Sequence, residues 1–368
     1  MRISDRYIGS QVLVGTLYAV AVLGVVLVLG NLFKQLQPLL VDIRAPLELV
    51  VRFVMSVLPV SLMYTVPWGF LSAVLLVFRK LSANQEITSF RVAGVSLQRL
   101  SLPVFVIGMA LSGLSLWLNT RVVPNSKADM LQLFFDQGVR DPTSLLKPGV
   151  VQGNFGGGGF KKLLVEGRDG DWVEGFNIYI FPDDGKDDGA VTYVHAKRAA
   201  LSARQEIGQL RLKLEDAYFE TRDAAGGVDI AQAGYVEPLV IDLKKLDESK
   251  PKASAMSNDA IRHELATNPE LTKGRRVKME SEIMTRYSLS MACLAFAFVA
   301  VPLGMQSRRR DNSAGLVMSL LIGAGYFLFL MLADNIKTDA RLAALVLWAP
   351  NILCVLLGLF LFRRARFR

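Results

Sequence analysis

The residues of this chain that have the chemistry for catalysis are few. Two histidines and two cysteines occur among 368 residues. His195 lies in an alternating, strand-like stretch beside Lys197 and has no acidic neighbour. His263 precedes Glu264, but the zinc pattern HExxH needs a second histidine where Thr267 stands. Residues 156–159 are all glycine, yet no Lys-Ser/Thr pair follows them and no strand–turn–helix frames them. CxxC and GxSxG are absent. Cys293 and Cys354 fall in apolar runs and read as small buried hydrophobes. An active site gathers a nucleophile, a base and a stabilising group, and these residues form no such set. The chemistry that remains is that of docking and binding.

Two groups of residues carry it. The first is the stretch "FRKLSANQEITSFRVAGVSLQRLSLP", which begins at Phe78 between two long apolar runs. Ser82 with Gln85 has the spacing of a capping box, which predicts a helix over about 83–93. Gly94 can take the left-handed conformation that stops it, and Ser96 can cap the next helix. Ile87 and Phe90 make a short apolar edge, with Glu86 and Arg91 beside it. A helix lying on lipid headgroups accounts for the arginines. Glu86 and the apolar edge fit a groove in another protein better. The second group is a set of cations at the ends of apolar runs: Lys34, Arg44, Arg52, Arg121, Lys337 and Arg341. They read either as rim anchors that snorkel or as a collar for an anionic lipid headgroup.

These residues are positioned by membrane spans. The chain is 52% hydrophobic and its mean hydropathy is +0.35. Six runs have the length a bilayer requires: 11–33, 53–78, 100–122, 287–305, 313–333 and 342–362. The first lacks a cleavage site and reads as a retained helix. Between the third and fourth lies a polar insert, so the layout is three spans, one domain, three spans. Pro59 and Pro67 in the second run either kink it toward a cavity or are tolerated in a packed helix. In the fifth, Gly323 and Gly325 permit close helix approach, and Tyr326 is amphipathic. No row of carboxylates crosses the spans, which argues against an ion-driven pump.

The net charge of +9 is unevenly placed. Residues 125–285 hold 22 basic and 26 acidic residues, and the remainder holds 20 and 7. The surplus lies at span edges: Arg2 and Arg6, then Arg79, Lys80, Arg91 and Arg99, then residues 308–310, then Arg363, Arg364, Arg366 and Arg368. These fall in alternate loops, so the positive-inside rule puts both termini in the cytoplasm and the insert outside. The basic balance therefore points to membrane edges and not to nucleic acid.

The insert reads as sheet. Leu210, Leu212 and Leu214 alternate with Arg211, Lys213 and Glu215. "FKKLLVEGRDG", "GFNIYIFPDDGKDDG", "AVTYVHAKRAALSA" and "DIAQAGYVEPLVIDL" add strands, and Pro182 with an Asp/Gly run makes a turn. Short strands without intervening helices predict an antiparallel sandwich or jelly roll. One short helix follows, capped by Ser257 and followed by Pro269, and Glu282 and Arg286 form an i,i+4 pair on the way back to the membrane.

In this order the parts resemble the lipopolysaccharide-export permeases of the LptF/LptG (YjgP/YjgQ) family. "DRYIGSQVL" resembles the family's opening and leans toward its LptG-like members. "LSANQEITSFRVAGVS" resembles its cytoplasmic helix, which ends at a small-Gly-hydrophobic-Ser/Thr turn. "GFNIYIF", "YVHAKRAAL" and "LRLKLEDAYFE" resemble its strand series. "RYSLSMACLAFAFVAVPLGMQSRRRDNSAG" and "GYFLFLMLADNI" resemble its fourth and fifth spans.

The resemblance implies a polytopic α-helical membrane protein with six transmembrane helices (3 + 3) and an inserted all-β periplasmic jelly-roll domain. Residues 1–123 would hold spans one to three, 124–285 the jelly roll and 286–368 spans four to six. It implies a permease subunit and not an enzyme, in the bacterial inner membrane. This chain would bind no cofactor, and ATP and Mg would sit on a cytoplasmic ATPase dimer, consistent with the absence of a phosphate loop. Partners would be a second permease of the family, a single-span jelly-roll regulator, a periplasmic bridge protein and lipopolysaccharide. Glu86, Ile87, Phe90, Arg91 and Gly94 would couple the ATPase. Lys34, Arg44, Arg121, Tyr326 and Lys337 are the candidates for lipid contact. A lipoprotein-releasing permease is the near alternative, but its large outer domain follows the first span. A non-transport envelope scaffold is the other.

Overall fold

The computed structural model describes the chain except residues 1–2, 43–46, 141–148, 154–160, 170–171, 181–190, 205–208, 223–226, 243–251, 270, 306–312, 337 and 367–368. The glycine run 156–159, the turn after Pro182, Arg44, Lys337 and the basic run 308–310 lie outside the described residues. The chain divides into two compact units. One comprises Met1–Leu32, Val51–Asp129 and Lys252–Arg368, and the other Phe33–Val50 and Met130–Pro251.

The first unit is helical. The helices, of which α1, α2 and α5 cross the unit boundaries, are α1 (Ile3–Asp42), α2 (Leu47–Ala83), α3 (Glu86–Val92) and α4 (Leu97–Trp117), then a five-residue π segment (Leu118–Val122) that runs on into α5 (Val123–Arg140). After the insert come α6 (Asn258–Thr267), α7 (Lys273–Met305), α8 (Ser313–Asn335) and α9 (Ala340–Arg366). Among the described residues six helices are long and apolar enough to span a bilayer, and they coincide with the six apolar runs. The prolines at 59 and 67 lie inside α2, which continues through both.

Burial differs sharply among these helices. In α7, 72% of the span is buried, against 11% in α1. The buried face of α7 is built of small residues, Ser288, Ser290, Ala292, Ala295, Ala297 and Gly304 among them. Small side chains let helix backbones approach where lipid supplies no hydrophobic drive. At Gly358 of α9 an added Cβ would collide with the backbone carbonyl of Phe298, so these two helices touch backbone to backbone. A polar knot joins three helices: Ser288 donates to the Leu347 carbonyl at 2.6 Å, Asn351 donates to the Ser288 carbonyl at 2.9 Å, and the Tyr326 hydroxyl donates to it at 3.2 Å.

Arg286, just before the fourth apolar run within α7, is 2% exposed. Its guanidinium donates to Glu282, to Asn258, and to the carbonyls of Ala253 and Met256. The expected i,i+4 pair with Glu282 is present at 3.3 Å, and the Ser257 cap accepts from the Ala260 amide at 3.1 Å.

The second unit contains the expected all-β insert. Strands β1 (Gln152–Gly153), β2 (Lys161–Asp169), β3 (Trp172–Ile180), β4 (Val191–Arg204), β5 (Gln209–Arg222) and β6 (Val228–Asp242) form one antiparallel sheet in sequence order. Every described neighbour in the sheet is a neighbour in the chain, so the described strands form a meander without a crossover. Besides a register shift between Leu212 and Leu214 where β5 meets β6, the pairing is interrupted along one row that crosses the sheet. Glu166, Gly175, Lys197, Asp216 and Gly234 stand opposite one another in register, and none of them is paired. Gly175 and Asp216 have φ of 62° and 51°. Strand side chains alternate, yet Val173 and Phe176, Ala196 and Ala199, and Leu214 and Ala217 are all buried in one cluster. The odd spacing is reconciled at this row, where each strand turns its next side chain back to the core face.

Candidate functional site

The stretch opened by Phe78 departs from the capping-box expectation. α2 continues through Ser82 to Ala83, so Ser82 is inside a helix and its hydroxyl is not placed to cap. It donates instead to the Met305 carbonyl at the end of α7, at 3.0 Å. The break falls at Gln85, which takes φ 58°, and α3 starts at Glu86. The helix is thus seven residues long and shorter than the expected 83–93.

Its far end meets the expectation. Gly94 has φ +82°. The Val95 amide donates to the Phe90 carbonyl and the Gly94 amide to the Arg91 carbonyl, each at 3.0 Å. That is the Schellman pairing, which satisfies carbonyls the helix end would leave open. Ser96 then accepts from the Arg99 amide at 3.3 Å and starts α4.

Between these ends the side chains sort by face. Ile87 is buried in the helical core, and Phe90 packs against it. Arg91, Val92 and Gly94 are exposed. Glu86 is half-buried, and both its oxygens are held: Oε1 accepts from the Asn84 amide at 3.2 Å, and Oε2 accepts from the Tyr7 hydroxyl at 3.1 Å. A carboxylate offers about four acceptor positions, so these two bonds orient the group and leave room for an incoming cation. Asp5, two residues before Tyr7, pairs with Arg99 at 3.2 Å. Neither Tyr7 nor Asn84 stood out in the sequence. Asn84 is close by, and its role depends on the left-handed Gln85. Tyr7 is 79 residues from Glu86, and no local pattern signals it.

The cation candidates do not form one cluster among the described residues. Arg44 and Lys337 lie outside them, and of Lys34 only the backbone, within α1, is described. Arg121 is exposed on the π segment, a distortion frequent at functional positions. It lines a cleft of about 400 Å³ together with Asn125, Asp259, Arg262 and Tyr287, so one carboxylate shares the cleft with the two cations. Arg262 donates to the Tyr287 hydroxyl at 3.3 Å. Arg262 is the cation the sequence reading missed, because only the return of α6 beside the π segment brings it near Arg121. Tyr326, expected to contact lipid, lies inside the helical core. This residue is 2% exposed, its hydroxyl is used within the knot, and its ring packs edge-on against Phe296. Its amphipathic character serves helix packing in this chain. No group of three or more metal-ligating residues occurs among the described residues.

No curated protein matches the sequence. Residues 6–364, nearly the whole chain, match the family described as lipopolysaccharide export system permease LptF/LptG. With six spans, an inserted β domain and a short capped helix between the second and third spans, this chain belongs to the LptF/LptG family of lipopolysaccharide export permeases.

Proposed function

We propose that the chain is the permease subunit of an ATP-driven exporter that takes lipopolysaccharide from the outer leaflet of the bacterial inner membrane and passes it to a periplasmic bridge. Both termini and α3 face the cytoplasm, and the β domain faces the periplasm, in keeping with the positive-inside distribution of charge. A separate ATPase dimer carries ATP and Mg and docks on α3. Glu86, Ile87, Phe90, Arg91 and Gly94 form or shape its seat. A second permease of the family completes the cavity, and a single-span regulator stands beside it. Lys34, Arg44, Arg121 and Lys337 receive the anionic headgroup.

The observation that carries this reading is the make-up of α3. A helix of seven residues closed by a Schellman turn, with one apolar edge fixed in the core, is a rigid part. Its carboxylate is held in place at the surface. Such a part transmits force, and this family membership gives it a substrate. The test is co-purification with the ATPase. Glu86→Lys reverses the charge at the seat and is expected to abolish recovery of the complex. Normal assembly and ATP turnover of that variant would count against docking at α3.

A further inference from the structure

The bond from Tyr7 to Glu86 joins α3 to the first span, not to the two spans that flank it in sequence. We propose that Tyr7 is a positioning residue, which ties the Glu86 carboxylate to α1 and so passes the movement of α3 into that span. This rests on the docking reading of α3 given above.

Three observations support it. The first is the division of Glu86 between two donors from different elements. Asn84 belongs to the turn that carries α3, whereas Tyr7 belongs to α1. When α3 moves, the bond to Asn84 moves with it, and the bond to Tyr7 pulls on another helix. The second is a parallel fastening. Asp5 on the same turns of α1 pairs with Arg99, just past the cap that ends the α3 segment. Two polar links therefore bracket α3 and both reach α1.

The third is how α1 is held. Ile8 and Val12 have no exposed surface and belong to the core cluster that contains Ile87, Leu100 and Val104. Beyond them Val14, Leu17 and Tyr18 are 61%, 64% and 74% exposed. Thr16 is buried, Gly15 lies against Ala73 and Val20 against Gly69, so α1 stays packed on α2 along one face while its other face is bare. Residues 3–30 of a helix measure about 40 Å, so a shift imposed near Tyr7 is carried along the whole face that packs on α2.

The test uses the whole permease–ATPase complex in vesicles loaded with lipopolysaccharide, with ATP hydrolysed and lipid released measured together. Tyr7→Phe removes only the hydroxyl. It is expected to leave assembly, thermal stability and ATP turnover unchanged and to lower lipid released per ATP by about two- to twelvefold, the net worth of one hydrogen bond. Glu86→Asp keeps the charge but withdraws it from Tyr7 as well as from the seat. Adding Tyr7→Phe to it should lower the release ratio no further than Glu86→Asp alone does, because the link is already broken. An unchanged release ratio in Tyr7→Phe, or losses that multiply in the double variant, would overturn the proposal. Failure of the docking reading is separate: it shows as intact assembly in Glu86→Lys, whatever Tyr7→Phe does.

Discussion

The guanidinium of Arg286 donates to the side-chain oxygen of Asn258 at 2.6 Å, with neither residue more than a tenth exposed. Asn258 opens α6, and Arg286 lies on α7, so the bond clamps the returning chain to the span it leads into. The remaining guanidinium donors go to Glu282 and to backbone carbonyls from Ala253 to Met256. A planar five-donor fork meets these acceptors, and an ammonium does not. Arg286→Ala leaves them unpaired and Glu282 without its partner. It is expected to cost about 3–5 kcal/mol, the range for breaking a buried pair. Arg286→Lys should recover less than half. Thermal unfolding of the purified chain in detergent measures both, and a lysine variant equal to the parent would contradict this account.

The contact of Gly358 with Phe298 predicts a packing defect at a defined place. The atom an added Cβ would meet is a backbone carbonyl of α7, which cannot swing aside as a side-chain end does. Gly358→Ala must separate α9 from α7, and overpacking of this kind costs about 1–3 kcal/mol. Gly325 meets nothing within 4 Å, so Gly325→Ala is the control and should be neutral. Comparable melting of the two variants would refute the backbone contact.

In the β domain the interrupted row makes Gly175 the sensitive position. Its φ of 62° costs an L-residue roughly 1–2 kcal/mol. The Glu166 side chain also lies where a Cβ would go, but its flexible end can move. Gly175→Ala should therefore destabilise the domain, and adding Glu166→Ala should recover only the smaller, steric share. Denaturant unfolding read by a probe within the sheet separates the two. Full recovery in the double variant would place the cost in the clash and not in the backbone.

These features differ in how far a sequence displays them. The spans and strands are legible because their signals are local: long apolar runs, and the alternation of Leu212 and Leu214 with charged neighbours. Gly94 and Ser257 are legible for the same reason, since each acts on backbone a few residues away. Ser82 misleads because its fate depends on the Met305 carbonyl, 223 residues on. With an acceptor there, the helix runs through it and no cap is needed. The place of Tyr326 is not legible because α8 is apolar on every side, so its sequence does not mark which face is buried. The row across the sheet is hidden because only pairing aligns Glu166 with Gly175, Lys197 and Asp216.

Gly94 links stability to function most directly. Its φ of +82° lets α3 close in the Schellman turn, with the Val95 and Gly94 amides on the Phe90 and Arg91 carbonyls. An alanine there is strained by about 1–2 kcal/mol, and a seven-residue helix has few bonds to resist it. The last turn, which carries Phe90 and Arg91, should fray while Ile87 stays buried. Nothing lies within 4 Å of an added Cβ, so the effect comes from the backbone and not from a clash. If α3 seats the ATPase, Gly94→Ala weakens its binding by about five- to thirtyfold, the factor those energies correspond to. Gly94→Asn, which tolerates the left-handed region better, should fall in between. Titration of the ATPase against the purified permease reads all three, and equal affinity for alanine and glycine would show that the closed turn is not part of the seat.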